Sequence, residues 1–198
     1  MKKFASLLLA GLLAFTACSL FNQTSTTSSS SGSGNVRTYT FRTLPQNVEQ
    51  MKALPEASLK DPYAVAALSV VALMQYENDQ AACYEMLNFL RGPEPLSTYN
   101  KQFMRDRLQG KFYKIPSYFN GATPANNYTP SKPYTIRVSS NQYSFQSENW
   151  ATLWLTSGGA DNPRSIKLRQ KPSTGQWFVN DIQYLSDIRT PASEDPWK

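Results

Sequence analysis

Apolar and polar positions along the chain follow three successive patterns. Residues 4–15 are an apolar-rich run behind Lys2 and Lys3. Residues 19–35 are rich in Ser, Thr and Gly and have no apolar period. From Val36 onward, periods of a folded domain begin. "VRTYTFRTL" alternates, with Val36, Tyr39 and Phe41 suiting an extended edge segment. A short helix is expected over residues 47–54, ahead of Pro55.

The next start signal is stronger. Asp61 can accept from the exposed amides of a first turn, Pro62 suits that turn, and "YAVAALSVVALMQY" continues it. Val65, Leu68, Val71, Ala72 and Met74 cover most of the circumference, which predicts a buried central helix. Asp79 opens a second helix, with Ala82, Cys83, Met86, Leu87 and Leu90 on one stripe and "RGP" as its stop. A third is expected from a Ser97 cap to Gly110, with Tyr99, Phe103 and Leu108 inward.

Periodicity then lapses. Residues 111–133 carry Phe112, Tyr113, Ile115, Tyr118, Phe119 and Tyr128 among prolines and asparagines, too aromatic for a disordered loop of that length. Beyond it "YTIRVSS", "NWATLWLTS", "RSIKLRQK" and "QWFVNDIQYL" read as strands, with "PSTG" a hairpin turn. Short connections imply antiparallel neighbours. The expected fold is α+β: three or four N-terminal helices on one face of a C-terminal four-stranded antiparallel sheet. This helix-plus-curved-sheet order resembles the cystatin-like and NTF2-like folds, which share architecture but not function.

Alternation sorts the strands into faces. Ala151, Leu153, Leu155, Ile166, Leu168, Phe178, Ile182 and Tyr184 are expected inward. Trp150, Trp154, Trp177, Arg137, Lys167 and Arg169 are then left outward, with Val179, Asp181 and Gln183 beside them. Indoles offer flat platforms to sugar rings, and the cations attract carboxylate, sulfate or phosphate. Such a face would suit an anionic or carbohydrate polymer such as a glycan or cell-wall polymer. The reading the sequence favours instead has residues 111–133 folding over the indoles, with the arginine stems as packing.

"SGGADNPR" joins two strands and lacks the following helix of a phosphate loop, so Asp161 and Arg164 are read as a loop ion pair. Cys83 reads as a small buried hydrophobe on its helix stripe.

The first segment changes the setting. Lys2-Lys3, a twelve-residue apolar run and small Thr16-Ala17 precede Cys18. Twelve residues fall short of the ~20 a membrane-spanning helix needs. Phe15-Thr16-Ala17-Cys18 resembles the bacterial lipoprotein signal and its lipobox, with Phe15 in place of the usual aliphatic residue. That resemblance implies cleavage after residue 17 and acylation (palmitate among the chains) at Cys18, placing the mature protein on the cell membrane or envelope outside the cytoplasm. Residues 18–35 become a lipidated cysteine and tether, and residues 36–198 one globular domain. A flexible chain of that length spans about 20–25 Å.

A wider likeness covers residues 61–198. "DPYAVAAL", "FLRGPEPLS", "SYFNGATPANNYTPSKPY", "SGGADNPRSIKLRQK", "WFVNDIQYLSDIR" and "DPW" resemble a domain-of-unknown-function family of gut-bacterial lipoproteins. The likeness implies secretion and lipid anchoring and brings no activity with it.

Composition narrows the chemistry. The 198 residues include no histidine, which removes Ser-His and Cys-His catalysis and the usual zinc sites. With Cys18 acylated, Cys83 has no internal disulfide partner. The formal charge of +6 falls to +4 without Lys2 and Lys3, a balance that argues against nucleic acid. No cofactor or metal is expected. A membrane-anchored binding module is the reading these features favour. The alternative is an envelope hydrolase working with carboxylates such as Asp161, Asp181 or Asp187.

Overall fold

A computed structural model describes residues 25–31 and 34–197. The expected signal segment, Cys18 and the first residues of the expected tether lie outside the described residues. The elements run β1 (Ser25–Ser31), β2 (Gly34–Phe41), α1 (Val48–Lys52), α2 (Pro62–Leu73), α3 (Gln80–Arg91), α4 (Thr98–Leu108), β3 (Tyr134–Ser139), β4 (Trp150–Leu155), β5 (Arg164–Lys171) and β6 (Gln176–Ile182). The strands form one antiparallel sheet in the order β1-β2-β3-β4-β5-β6.

The α+β expectation is met in outline, with two corrections. The body of the sheet has five strands, β2 to β6, rather than four, and β1 adds a sixth at the edge. The helices are not N-terminal, because β2 precedes them and pairs with β3 across the whole helical insertion. Tyr39 and Phe41 supply the reason, since both bury beside Ile136 in the core. The serine-rich tract also departs from a free tether: Ser25–Ser31 pairs in register with Thr40 to Gly34. No helix among the described residues is long and apolar enough to cross a membrane.

Helix α2 is the centre of the core, and all its residues from Tyr63 to Leu73 are buried. Asp61 starts it by accepting from the Tyr63 amide at 3.1 Å. The same carboxylate accepts from the Tyr39 hydroxyl at 2.5 Å and pairs with Arg37 at 2.8 Å, tying the helix start to β2. Ser69, buried mid-helix, donates back to the Ala66 carbonyl at 2.7 Å and shares a 2.8 Å hydrogen bond with the Tyr184 hydroxyl. Asp79 and Ser97 cap α3 and α4 as expected. On α4, however, Met104 and Leu108 face the core while Tyr99 is 76% exposed, because the helix packs through its C-terminal half.

Residues 111–133 wedge into the end of the sheet. Phe119 bridges Ile136, and the Asn120 amide donates to the Thr135 carbonyl at 2.8 Å. This segment takes the place beside β3 that β4 would fill, so β3 and β4 pair only at Val138↔Leu155 and Ser139↔Trp154. The loop's aromatics anchor inward: Tyr118 donates to the Tyr184 carbonyl, Tyr128 to the Arg189 carbonyl at 2.6 Å, and Phe119 meets Tyr134 edge-on at 5.6 Å.

Candidate functional site

The open face of the sheet is set by the register of three strands. Across β4, β5 and β6 the outward rows are Trp150–Arg169–Phe178 and Thr152–Lys167–Asp181, with Trp154 opposite Ser165. Neighbouring strands lie ~4.8 Å apart, so each row is a short ladder of side chains in lateral contact. Trp150 is 36% exposed and Trp154 half-buried, while Arg137, Lys167 and Arg169 are exposed. Arg169 lies over the Trp150 ring, its guanidinium carbon 5.3 Å from the centroid. No ring contact joins the aromatics of residues 111–133 to either indole among the described residues, and the loop leaves Trp150 open.

One expected member is elsewhere. Trp177 lies on the helix side, where its amide donates to the Leu59 carbonyl at 2.7 Å and its ring meets Phe145 at 6.2 Å. The cause is a β-bulge: Lys167 opposes Asp181 and Leu168 opposes Val179, leaving Asn180 as an extra residue on β6. An extra residue reverses alternation on one side of it. Val179 therefore buries with Leu168, and Phe178, expected inward, faces out beside Arg169. Ile182, beyond the bulge, keeps its inward place opposite Ile166.

Arg91 stabilises that irregularity. Its Nη1 donates to the Asn180 carbonyl at 2.8 Å and its Nε to the Glu94 carbonyl at 2.9 Å, so the last residue of α3 is pinned to the bulged strand. Burial lowers the pKa of this guanidinium, while Glu94 and Asp181 oppose the shift. Gly92 follows at φ +59°, and a Cβ there would overlap the Phe178 ring. Both the left-handed backbone and the close approach call for glycine.

Between this turn and the β5–β6 hairpin lies a cleft of about 260 Å³. Arg91, Arg169, Lys171 and Glu94 supply its charges, and Pro93, Pro172 and Phe178 its apolar walls. Glu94 reaches Arg169 at 3.4 Å, with both side chains more than half exposed. The cleft is continuous with the open face through Arg169, which borders both Trp150 and the cavity. Sequence reading missed Arg91, Glu94, Lys171 and Phe178. "RGPEP" serves as a helix stop whether or not its charges line a cavity, and the bulge hides Phe178.

A second cleft, about 210 Å³, opens where the wedge enters the sheet, lined by Arg137, Thr135, residues 118–123 and residues 156–158. Arg137 forms no ion pair among the described residues. Its position is consistent with its outward alternation, but it stands apart from the Trp150–Arg169 row.

The Asp161–Arg164 pair is replaced by a different one. Asp161 pairs with Arg189 at 2.8 Å, and Arg164 donates instead to the Asp187 carbonyl at 2.6 Å. The loop is held by its backbone, with the Gly158 amide donating to the Ser117 carbonyl at 2.8 Å and the Arg189 amide to the Gly159 carbonyl at 2.9 Å. None of the three candidate carboxylates lines either of these clefts. Asp161 is held by Arg189, and Asp181 accepts from Gln183 at 2.8 Å. Among the described residues no group of three His, Cys, Asp or Glu could hold a metal ion. Cys83 is fully buried, and burial pushes its thiol up to about 12, so it packs as a hydrophobe.

The arrangement offers a stacked cation and indole beside a positively lined cleft with apolar walls. Such surfaces recognise anions through the guanidinium fork and flat rings through the aromatic face. No curated protein and no solved structure matches the chain. Residues 43–192, spanning α1 to the segment after β6, match the family described as Domain of unknown function (DUF6935), and the chain belongs to that family.

Proposed function

We propose that this chain is an envelope lipoprotein, anchored through acyl chains on Cys18, that acts as a binding module for an anionic or carbohydrate ligand at the cell surface. The observation that carries the reading is Arg169 held over Trp150 at 5.3 Å beside the 260 Å³ cleft. An exposed indole bearing a cation can stack a sugar ring while its neighbour takes an acidic substituent. Lys167 strengthens the field, since Asp181 opposite it accepts a hydrogen bond from Gln183 and forms no ion pair within 4 Å among the described residues. The strand-then-helices-then-meander order supports the analogy with cystatin-like folds, which carries no ligand with it.

The hydrolase alternative receives no support from Asp161, Asp181 and Asp187. Paired carboxylates on either side of a scissile bond need separations of about 5–9.5 Å in one site, whereas the Asp161 carboxylate pairs with Arg189 and that of Asp181 accepts from Gln183.

Two measurements test the proposal. Titrating neutral and acidic oligosaccharides against the protein and its Trp150→Ala and Trp154→Ala variants should show binding lost with the indoles; undiminished binding removes the face from the proposal. Replacing Cys18 with Ser should release the protein from the membrane fraction, and full retention there refutes the anchor.

A further inference from the structure

Resting on that reading, we infer that the cleft between α3 and the β5–β6 hairpin is the acidic subsite of the ligand surface. It takes one pyranose bearing a carboxylate or a sulfate, with Glu94 acting as an internal stand-in for the ligand's anion.

Charge is the first ground. Three cations, Arg91, Arg169 and Lys171, line the cleft against the single carboxylate of Glu94. Arg91 is buried and fixed by two hydrogen bonds to carbonyls, with no hydrogen bond from its Nη2 among the described residues. Lys171 is exposed and pairs with no carboxylate among the described residues. A site with an excess of two positive charges and a preset guanidinium favours an entering anion over a neutral group.

Shape and walls are the second ground. Phe178, Pro93 and Pro172 give the cavity apolar surfaces against which a sugar ring's C–H face can lie. The volume of about 260 Å³ suits one ring rather than an extended chain. From Phe178 across Arg169 to Trp150 is two strand spacings, roughly 10 Å, which a short oligosaccharide bridges. The indole then holds the next ring of the same ligand.

The third ground is the Glu94–Arg169 contact. At 3.4 Å, and with both partners more than half exposed, it is a loose pair. Exposed pairs of this kind contribute little to stability. Glu94 lines the cleft and its carboxylate pairs with Arg169 as a ligand anion would, so binding exchanges one anion for another on Arg169. Neutralising Glu94 removes the competitor.

The experiment is calorimetric titration of the full chain with tetragalacturonate, its methyl ester and a chondroitin-sulfate tetrasaccharide, at low and physiological salt. Expected are binding of at least one acidic probe, much weaker binding of the ester, a loss of about tenfold for Lys171→Gln and Arg169→Met, and a gain of several-fold for Glu94→Gln. The two acidic probes separate carboxylate from sulfate recognition. Equal binding of ester and acid, or weaker binding by Glu94→Gln, overturns the subsite. Binding that disappears with Trp150→Ala but ignores Glu94→Gln and Lys171→Gln refutes the subsite and leaves the proposed face standing. Binding that depends on Lys171 but ignores both indoles does the reverse. No binding of any probe overturns both.

Discussion

The two faces of strands β3 to β6 are made from alternate residues of the same segments, yet they differ in almost every physical respect. Inward, Ile136, Val138, Ala151, Leu153, Leu155, Ile166 and Leu168 are at most 2% exposed and close on α2. Outward, Arg137, Lys167 and Arg169 are exposed among two indoles and Phe178. The helices cover most of one face and leave the other open. The contrast separates the roles: the inward set specifies the fold through close packing, whereas the outward set is free of that packing constraint.

The largest effects should therefore fall inward. Leu68→Ala removes a fully buried side chain from the middle of α2 and is expected to destabilise by about 2–5 kcal/mol. Thr152→Ala, on β4 and facing outward, should stay within about 0.5 kcal/mol. Urea unfolding followed by circular dichroism checks both, and comparable losses at the two positions would break the division of roles. Ser69→Ala comes next. It leaves the Tyr184 hydroxyl without its 2.8 Å partner in a fully buried site, for about 1–3 kcal/mol. Adding Tyr184→Phe should recover part of that loss, because both polar groups are then gone.

Local chemistry was legible in the sequence and long-range chemistry was not. Asp61, Asp79 and Ser97 were readable as caps because a cap needs only the residues that follow it. Inward and outward sets on β4 and β5 followed from alternation alone. On β6 the same rule failed, because Asn180 is extra and its carbonyl is satisfied by Arg91, 89 positions away. Asp161 found Arg189 rather than its near neighbour Arg164 for a similar reason, a backbone contact that draws Arg189 to the Gly159 carbonyl. The strand Ser25–Ser31 had no apolar period to announce it, and only the free edge of β2 gives it a partner. Of the candidate face, alternation placed Trp150, Trp154, Arg137, Lys167 and Arg169 and misplaced Trp177. The cleft was invisible, because a turn and a hairpin distant in sequence form its two walls.

The boundary between the faces gives intermediate effects. Gly92→Ala places a side chain at φ +59° against Phe178, and about 1–2 kcal/mol is expected from the backbone alone. The overlap adds to this, and Phe178→Ala in the same chain should return the added part, so a double-mutant cycle measures the coupling. Additive losses would mean that the ring does not seat against the turn. Cys83, on the inward side, titrates in the alkaline range. Its thiol stands near 9 when unfolded and about 12 when folded, so the unfolded chain loses this proton first. Its contribution to stability is complete below about pH 9 and is lost as pH rises toward 12. Cys83→Ala should flatten that part of the stability profile. In a Cys18→Ser background a thiol reagent at pH 8 should label the chain only on unfolding; rapid labelling of the native state would place Cys83 at the surface.

The smaller stability effects belong to the residues proposed to matter most for binding. Arg169 makes one loose ion pair and one cation–indole contact, both exposed to solvent. Arg169→Ala should therefore cost no more than about 0.5 kcal/mol in urea unfolding, and Trp150→Ala, with the residue only 36% exposed, about 1–2 kcal/mol. Each should nevertheless lower affinity for an acidic oligosaccharide by about tenfold. The dissociation of the two readouts is the sharpest form of the comparison, because a residue kept for packing loses stability and binding together. If Arg169→Ala unfolds as readily as Ser69→Ala, then the guanidinium holds the β5–β6 corner in place. The open face would then be structural like the closed one.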